Sequence, residues 1–202
     1  VIVLVHTAHP QAVEHAGPGF GRLLSPRNWS RAADTAAAGI PWAADNEAYV
    51  GFDEDGYRRM IHGLPGIPGC LFVVAPDIVA DWEHTRYRFA KWLPELRGLP
   101  LAYVAQDDQP PGRVPWDAIV CLFVGGTTAY KLSSEAEQLV REAKRRGLWV
   151  HMGRVNSRRR FHYARAIGCD SVDGSQFSRW RDRWVPHGLA WAGEHLQERL
   201  PT

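Results

Sequence analysis

The stretch LWVHMGRVNSRRRFHYARAIGCDSVDG (148–174) decides how the rest of the chain is read. It opens on an apolar run, LWVHMG (148–153), and passes through Asn156-Ser157 into a polar-apolar segment that stops at Gly168. A hydroxyl residue ahead of such a segment caps the first turn, and a glycine past its end closes the last one, so a helix is expected over Ser157–Ile167. A second apolar run, CDSVDG (169–174), follows at once. Two strand-like runs joined by one helix form a parallel unit, because a parallel crossover must carry the chain back across the sheet.

Working outward, six more runs of the same kind precede it: VIVLVH (1–6), RLLS (22–25), GIPWAA (39–44), CLFVVAP (70–76), PLAYVAQ (100–106) and AIVCLFVGG (118–126). Several are apolar throughout rather than alternating, as in parallel strands covered by helices. RLLS carries the weakest signal. Further helices are expected at Ala80–Leu96, at Ser133–Arg146 between an S-S-E-A-E start and Gly147, and from Gln176 to Glu198 with a break near Pro186. GLPGIPG (63–69) reads as a loop. Eight strands alternating with helices predict an α/β fold, a compact (β/α)8 TIM-type barrel over residues 1–202 as a single domain. Its loops must be short, since such barrels usually need about 250 residues. An open doubly wound sheet is the rival, but no G-x-G-x-x-G follows the first strand.

The chain has 202 residues, 45% hydrophobic and 23% charged, the balance of a soluble globular protein. No apolar run approaches the ~20 residues of a membrane span. The opening VIVLVHTAHP lacks the basic flank of a signal peptide and reads as a buried strand. The three cysteines, Cys70, Cys121 and Cys169, lie in apolar stretches with no metal-ligand spacing, so buried thiols in a reducing cytoplasm are expected. Net charge is only +2, yet between Arg141 and Arg165 nine basic residues stand against Glu142 alone, a local +8. Such a stripe is either a solvated face or a surface for a polyanion.

Barrel enzymes place chemistry at the C-terminal ends of their strands. Here those ends read His6, Asp45-Asn46-Glu47, Asp77, Gln106-Asp107-Asp108, Gly125-Gly126-Thr127, Gly153-Arg154 and Asp173. Several carboxylates therefore converge on one rim, and a purely structural role for all of them is disfavoured because buried like charges are costly. Such a set suits the cleavage of a nucleobase from its sugar. One Asp can attack the anomeric carbon, and a second can donate and accept protons. An Asp and a Gln can read a ring edge, and a glycine N–H can approach a ring carbonyl closely.

Five blocks in order, WAADNEAY (42–49), APDIVAD (75–81), AYVAQD (102–107), LFVGGTTAYKL (122–132) and VHMGRVNSRRRFHYARAIGCDSVDGS (150–175), resemble the tRNA-guanine transglycosylase superfamily. The likeness is greatest to the DpdA-like enzymes that put 7-deazaguanines into DNA and to related phage-defence DNA glycosylases. The resemblance implies Asp173 as nucleophile and Asp45 as proton-transfer group. It implies Asp77 and Gln106 as base readers, the Gly125-Gly126 backbone against the base carbonyl, and Met152-Gly153 beneath the pocket. Asn46 and Glu47 are expected at the base site beside Asp45.

Three departures shape the expectation. No cysteine follows Cys169, so the zinc subdomain of the tRNA enzymes is not expected, nor is any metal or other cofactor. Glu47 stands where relatives usually have glycine, and QDDQP replaces a glycine-bearing turn after Gln106. The expected reaction is base exchange in DNA. The alternative is hydrolysis that excises a modified base and leaves an abasic site, with Glu47 activating water or else ion-paired to an arginine. A remote third reading, an inactive DNA-binding module, would predict loss of Asp45 or Asp173. The expected partner is DNA with its target nucleotide flipped out. Arg154, Asn156, Ser157, Arg158 and Arg159 after the seventh strand, and Arg179 after the eighth, are assigned to its backbone. Trp180 and Trp184, between Arg179, Arg181 and Arg183, read as core packing ahead of a strand wedge.

Overall fold

The computed structural model describes residues 1–6, 17–179 and 181–193. Eight parallel strands close into a barrel in sequence order: β1 (Ile2–His6), β2 (Phe20–Leu24), β3 (Trp42–Ala44), β4 (Cys70–Val74), β5 (Leu101–Ala105), β6 (Cys121–Val124), β7 (Trp149–Met152) and β8 (Ser171–Asp173). Closure is made by β8 on β1, where Val172 lies opposite Val3 and Asp173 opposite Leu4. The expected (β/α)8 architecture is therefore the observed one.

Period-two alternation sorts each strand into two layers. Leu4, Leu23, Ala43, Phe72, Val74, Ala102, Val104 and Cys121 fill the barrel interior. Their neighbours, among them Val3, Val5, Leu24, Trp42, Val73, Tyr103, Leu122 and Val150, pack outward under the helices. Met152, expected beneath the pocket, belongs to this outer layer instead. Arg22 explains why β2 was faint in the sequence. It interrupts the apolar run, but it turns outward and its guanidinium bonds Thr35 Oγ1 at 2.9 Å while staying buried.

The helices are α1 (Ala32–Ala37), α2 (Glu54–Gly63), α3 (Trp82–Trp92), α4 (Thr128–Lys131), α5 (Ser134–Arg145), α6 (Arg158–Ile167), α7 (Ser175–Arg179) and α8 (Arg181–Gly193). No helix fills the β5–β6 connection, which uses two 3-10 turns, Pro111–Arg113 and Trp116–Ala118. Ser133 and Ser157 cap α5 and α6 as the sequence indicated, accepting from Ala136 N and Arg160 N. Helix α3 starts later than Ala80, because Asp81 caps it by accepting from His84 N. Helix α2 was not anticipated, although Asp53 ahead of Glu54-Asp55 is an N-cap signal.

Pro186 does not break the last helix; α8 runs through it. The residue gives up one backbone bond, but Val185 and Trp191 bury that helix against the core, with Trp191 5.8 Å from Phe161 and 6.3 Å from Phe177. The expected end at Glu198 lies outside the described residues, as does Trp180. Among the described residues no helix is long and apolar enough to cross a membrane.

Candidate active site

The inward alternation continues past the strand ends, and it brings the polar residues to one mouth. A cavity of about 580 Å³ opens there, lined by His6, Asp45, Gln106, Gly125, Gly153 and Asp173 together with residues of the loops that follow. That volume lies within the range of small-molecule sites, ~300–1,000 Å³.

Asp173 is held from two sides. His151 Nε2 lies 3.0 Å from its Oδ2, and the Arg154 N–H donates to its Oδ1 at 3.0 Å. Burial pushes this carboxyl up, but the His151 hydrogen bond, the Arg154 N–H and the nearby Lys131 together hold it below the usual carboxylate range. Asp45 accepts a single N–H, from Asn46 at 2.9 Å on its Oδ1. Burial first, then the charges on Asp173 and Asp77, push it up to about 8. One cavity thus contains two carboxyls shifted in opposite directions.

Asp77, Asn46 and Gln106 form a buried cluster. Asn46 Nδ2 donates to Asp77 Oδ1 at 2.7 Å, and Gln106 Nε2 donates to Oδ2 at 2.6 Å. Asn46 also bonds the Ala75 carbonyl and the Ala48 N–H, so both its donors and its acceptor are engaged within the protein. It positions Asp77. Gln106 keeps one N–H after bonding Asp77 and the Ala80 N–H, and Asp77 keeps a lone pair on each oxygen. Burial raises Asp77 to about 6 against the opposing pull of the two amides.

Both glycines of the sixth strand end are sterically required. A Cβ on Gly125 would lie 2.5 Å from Val104 Cγ1, and one on Gly126, whose φ is +70°, would collide with the Asp107 carboxylate. Asp107 in turn clamps the Thr127 N–H at 2.8 Å, the structural use of the unusual QDDQP turn. Gly125 donates its N–H to the Ala105 carbonyl at 2.9 Å, and both glycines line the cavity.

Glu47 turns its side chain inward despite a left-handed backbone (φ 57°) that costs a non-glycine residue about 1 kcal/mol or more. Arg27 Nε pairs with it at 3.1 Å, the ion pair foreseen as one reading of this position. His6 Nε2 stands 3.8 Å from Glu47 and 3.9 Å from Asp45. Burial lowers the His6 pKa.

Sequence reasoning missed four contributors. Arg27 and Lys131 line the cavity, and Tyr49 and His151 complete its rim and floor. Lys131 is buried, donates to the Gly153 carbonyl at 2.9 Å, and is lowered to about 8 by desolvation. Its block was quoted for the glycines, and nothing local marks a lysine at a helix end as inward. Tyr49 and Arg154 come from loops after β3 and β7, diametrically opposed in an eight-stranded ring, yet the guanidinium sits 3.9 Å from the Tyr49 ring centroid. They meet over the mouth.

The residues assigned to a nucleic-acid backbone divide. Arg154, Asn156 and Arg179 line the cavity. Ser157 is occupied as the α6 cap, and Asn156 Oδ1 lies 3.3 Å from Gln176 N, tying it to α7. Arg158 and Arg159 are exposed on the first turn of α6, at the rim. Arg160 shares that first turn of α6, and the other basic residues of the +8 stretch lie elsewhere. Lys144, Arg145 and Arg146 sit just before β7, at the opposite end of the barrel, and Arg141 lies on the last turns of α5 leading there. They pair with Asp170, Glu142 and Glu137. Trp184 packs 6.1 Å from Trp191, as core rather than wedge. The cysteines are free thiols, and no cluster of three or more His, Cys, Asp or Glu able to hold a metal occurs among the described residues.

No protein-family model matches this chain, and no curated protein does.

Proposed function

We propose that this barrel cleaves the N-glycosidic bond between a nucleobase and its sugar in DNA, with Asp173 as nucleophile and Asp45 as proton donor and acceptor. The observation that carries the reading is the divergent pair of carboxyls in one cavity: Asp173 held down by His151 and Arg154, Asp45 pushed up to about 8. Two acids whose surroundings push them apart divide the roles of nucleophile and general acid.

An Asp173 oxygen forms a bond to the anomeric carbon while the carbon–nitrogen bond breaks. Asp45 gives its proton to the departing base. In the second step an incoming base, such as a 7-deazaguanine, loses a proton to Asp45 and displaces Asp173 from the sugar. Asp77 and Gln106 keep hydrogen-bonding capacity for the ring edge, and the glycine backbone at Gly126 lines the same cavity. Arg158, Arg159, Arg154 and Arg179 at the mouth suit phosphates flanking a nucleotide flipped into the cavity.

One observation favours a second reading. Glu47 faces the cavity beside Asp45 and His6. A carboxylate there can take a proton from water, which would make the outcome hydrolysis and the product an abasic site, as in defence against modified phage DNA.

The test incubates the protein with unmodified and with phage-modified duplex DNA, each with and without free deazaguanine. Incorporated base with no abasic sites supports exchange. Abasic sites supports hydrolysis. Neither product on any DNA, with a folded protein, overturns both.

A further inference from the structure

Beneath Asp173 the barrel interior is not wholly apolar. Trp149 Nε1 donates to Ser171 Oγ at 2.8 Å, Ser171 Oγ lies 2.8 Å from His151 Nδ1, and His151 Nε2 lies 3.0 Å from Asp173 Oδ2. The four side chains come from β7 and β8, where His151 is in register with Ser171. Both of these are fully buried, and the imidazole lies 4.5 Å from the Phe123 ring and 5.2 Å from Phe72.

The direction of each bond follows from counting hydrogens. An indole N–H can only donate, so Ser171 accepts from Trp149. Were a hydrogen on His151 Nδ1, Ser171 would accept from both sides, and its own buried hydrogen would lack a partner, at a cost of about 1–3 kcal/mol. An imidazolium would strand the same hydrogen. Ser171 therefore donates to Nδ1, and the imidazole hydrogen sits on Nε2, aimed at Asp173.

The geometry points to His151 as a positioning residue for Asp173, fixed in its Nε2–H form by Ser171 and Trp149. The inference rests on the reading of Asp173 as nucleophile. With the Arg154 N–H on Oδ1 and the His151 N–H on Oδ2, the carboxylate plane is set and each oxygen keeps a lone pair. When the bond from Asp173 to the sugar breaks in the second step, its electron pair returns to a carboxylate already provided with two donors. His151 loses no proton in either step.

The test uses the whole chain and four variants: His151→Phe, His151→Gln, Asp173→Asn and the double variant with His151→Phe and Asp173→Asn. Carbon-13 NMR follows the aspartate carboxyls with pH, and the resonance missing in each Asp173→Asn background identifies Asp173. His6, Asp45 and Lys131 also act on Asp173 across the cavity, and they are common to every variant. The difference between His151→Phe and His151→Gln therefore isolates the single N–H. His151→Phe should raise the Asp173 titration by about one unit, a tenfold change in proton affinity. His151→Gln, which offers an amide N–H near the same point, should keep it low. The acid limb of the pH–rate profile for base release should move with it.

Nitrogen-15 spectra of the parent should place the imidazole hydrogen on Nε2, a measurement that needs no variant if His151→Phe fails to fold. An unmoved Asp173 titration in folded His151→Phe, or a hydrogen on Nδ1 in the parent, overturns the proposal. These readouts need no turnover. Full activity in Asp173→Asn would instead overturn the nucleophile and leave the hydrogen-bonded chain standing.

Discussion

At the end of the barrel where the strands begin, opposite charges meet. Lys144 closes on Asp170 at 2.7 Å, Arg145 and Arg146 both reach Glu142, and Asp170 also accepts the Val150 N–H at 2.7 Å. At the end where the strands finish, three aspartates gather beside a single Arg27–Glu47 pair. Asp45, Asp77 and Asp173 line one cavity, and Lys131 donates to a carbonyl there. Glu47 and Arg154 also hold left-handed backbones at this end. The first arrangement is what a solvated surface settles into. The second is costly to fold and persists only because the rest of the barrel over-determines it. The difference separates the two ends more firmly than any count of charges along the chain, since one basic stretch, Arg141–Arg165, contributes to both ends.

The sharpest way to break this contrast is Asp173→Asn. Turnover should fall by roughly 10⁴-fold or more, while thermal stability and DNA binding stay near those of the parent. Activity close to normal would remove the chemistry from this end altogether.

Asp45→Asn comes next, with an expected loss of roughly 10²–10⁴-fold in base release. In the parent, a reaction that needs Asp45 protonated should decline as pH rises through about 8, and the variant should lack that limb. The stability effect has the opposite sign. The folded state binds a proton at Asp45 that the unfolded chain has released above its ordinary carboxylate value, so stability falls as pH climbs from that value to about 8. Asp45→Asn should therefore raise the melting temperature at neutral and alkaline pH, by a few degrees for roughly 1–2 kcal/mol. A variant that melts lower at pH 8 would show that Asp45 is not under strain.

At the other end, Asp170→Ala should do the reverse. Removing the partner of the Val150 N–H and of Lys144 should cost about 1–3 kcal/mol of stability, read by chemical denaturation, and leave kcat unchanged.

The smallest effect separates the two halves of the basic stretch. Binding to a short duplex across a salt series should lose about one unit of log–log slope in Arg158→Ala, at the rim, and none in Arg145→Ala. Equal slopes in both variants and the parent would detach the rim from the polyanion.

The barrel was legible because its signal is local. Eight apolar runs and two serine caps lie in short windows, and period two carries each strand's inward column up to His6, Asp45, Gln106, Gly125 and Asp173. The β2 run was faint because Arg22 interrupts it, and only the fold brings its guanidinium onto Thr35. The break expected at Pro186 was a local inference that tertiary packing through Val185 and Trp191 overrides.

Asp45 and Asp173 are indistinguishable as residues in the sequence: each is an aspartate at the end of an apolar strand. Their opposite protonation depends on what lies within a few ångströms. At Asp173 a histidine beneath, an N–H beside and Lys131 outweigh burial; at Asp45 burial and the charges on Asp173 and Asp77 outweigh the Asn46 N–H. Apart from Asn46, those partners come from α4, β7, β8 and the loops after β4 and β7, as far as 128 positions away. The sequence by itself determined which strand-end residues reach the rim, because alternation along a strand is a property of neighbours in the chain. Only the closed barrel decided which charges meet, because electrostatic energy depends on distance and burial, and neither is set by order along the chain.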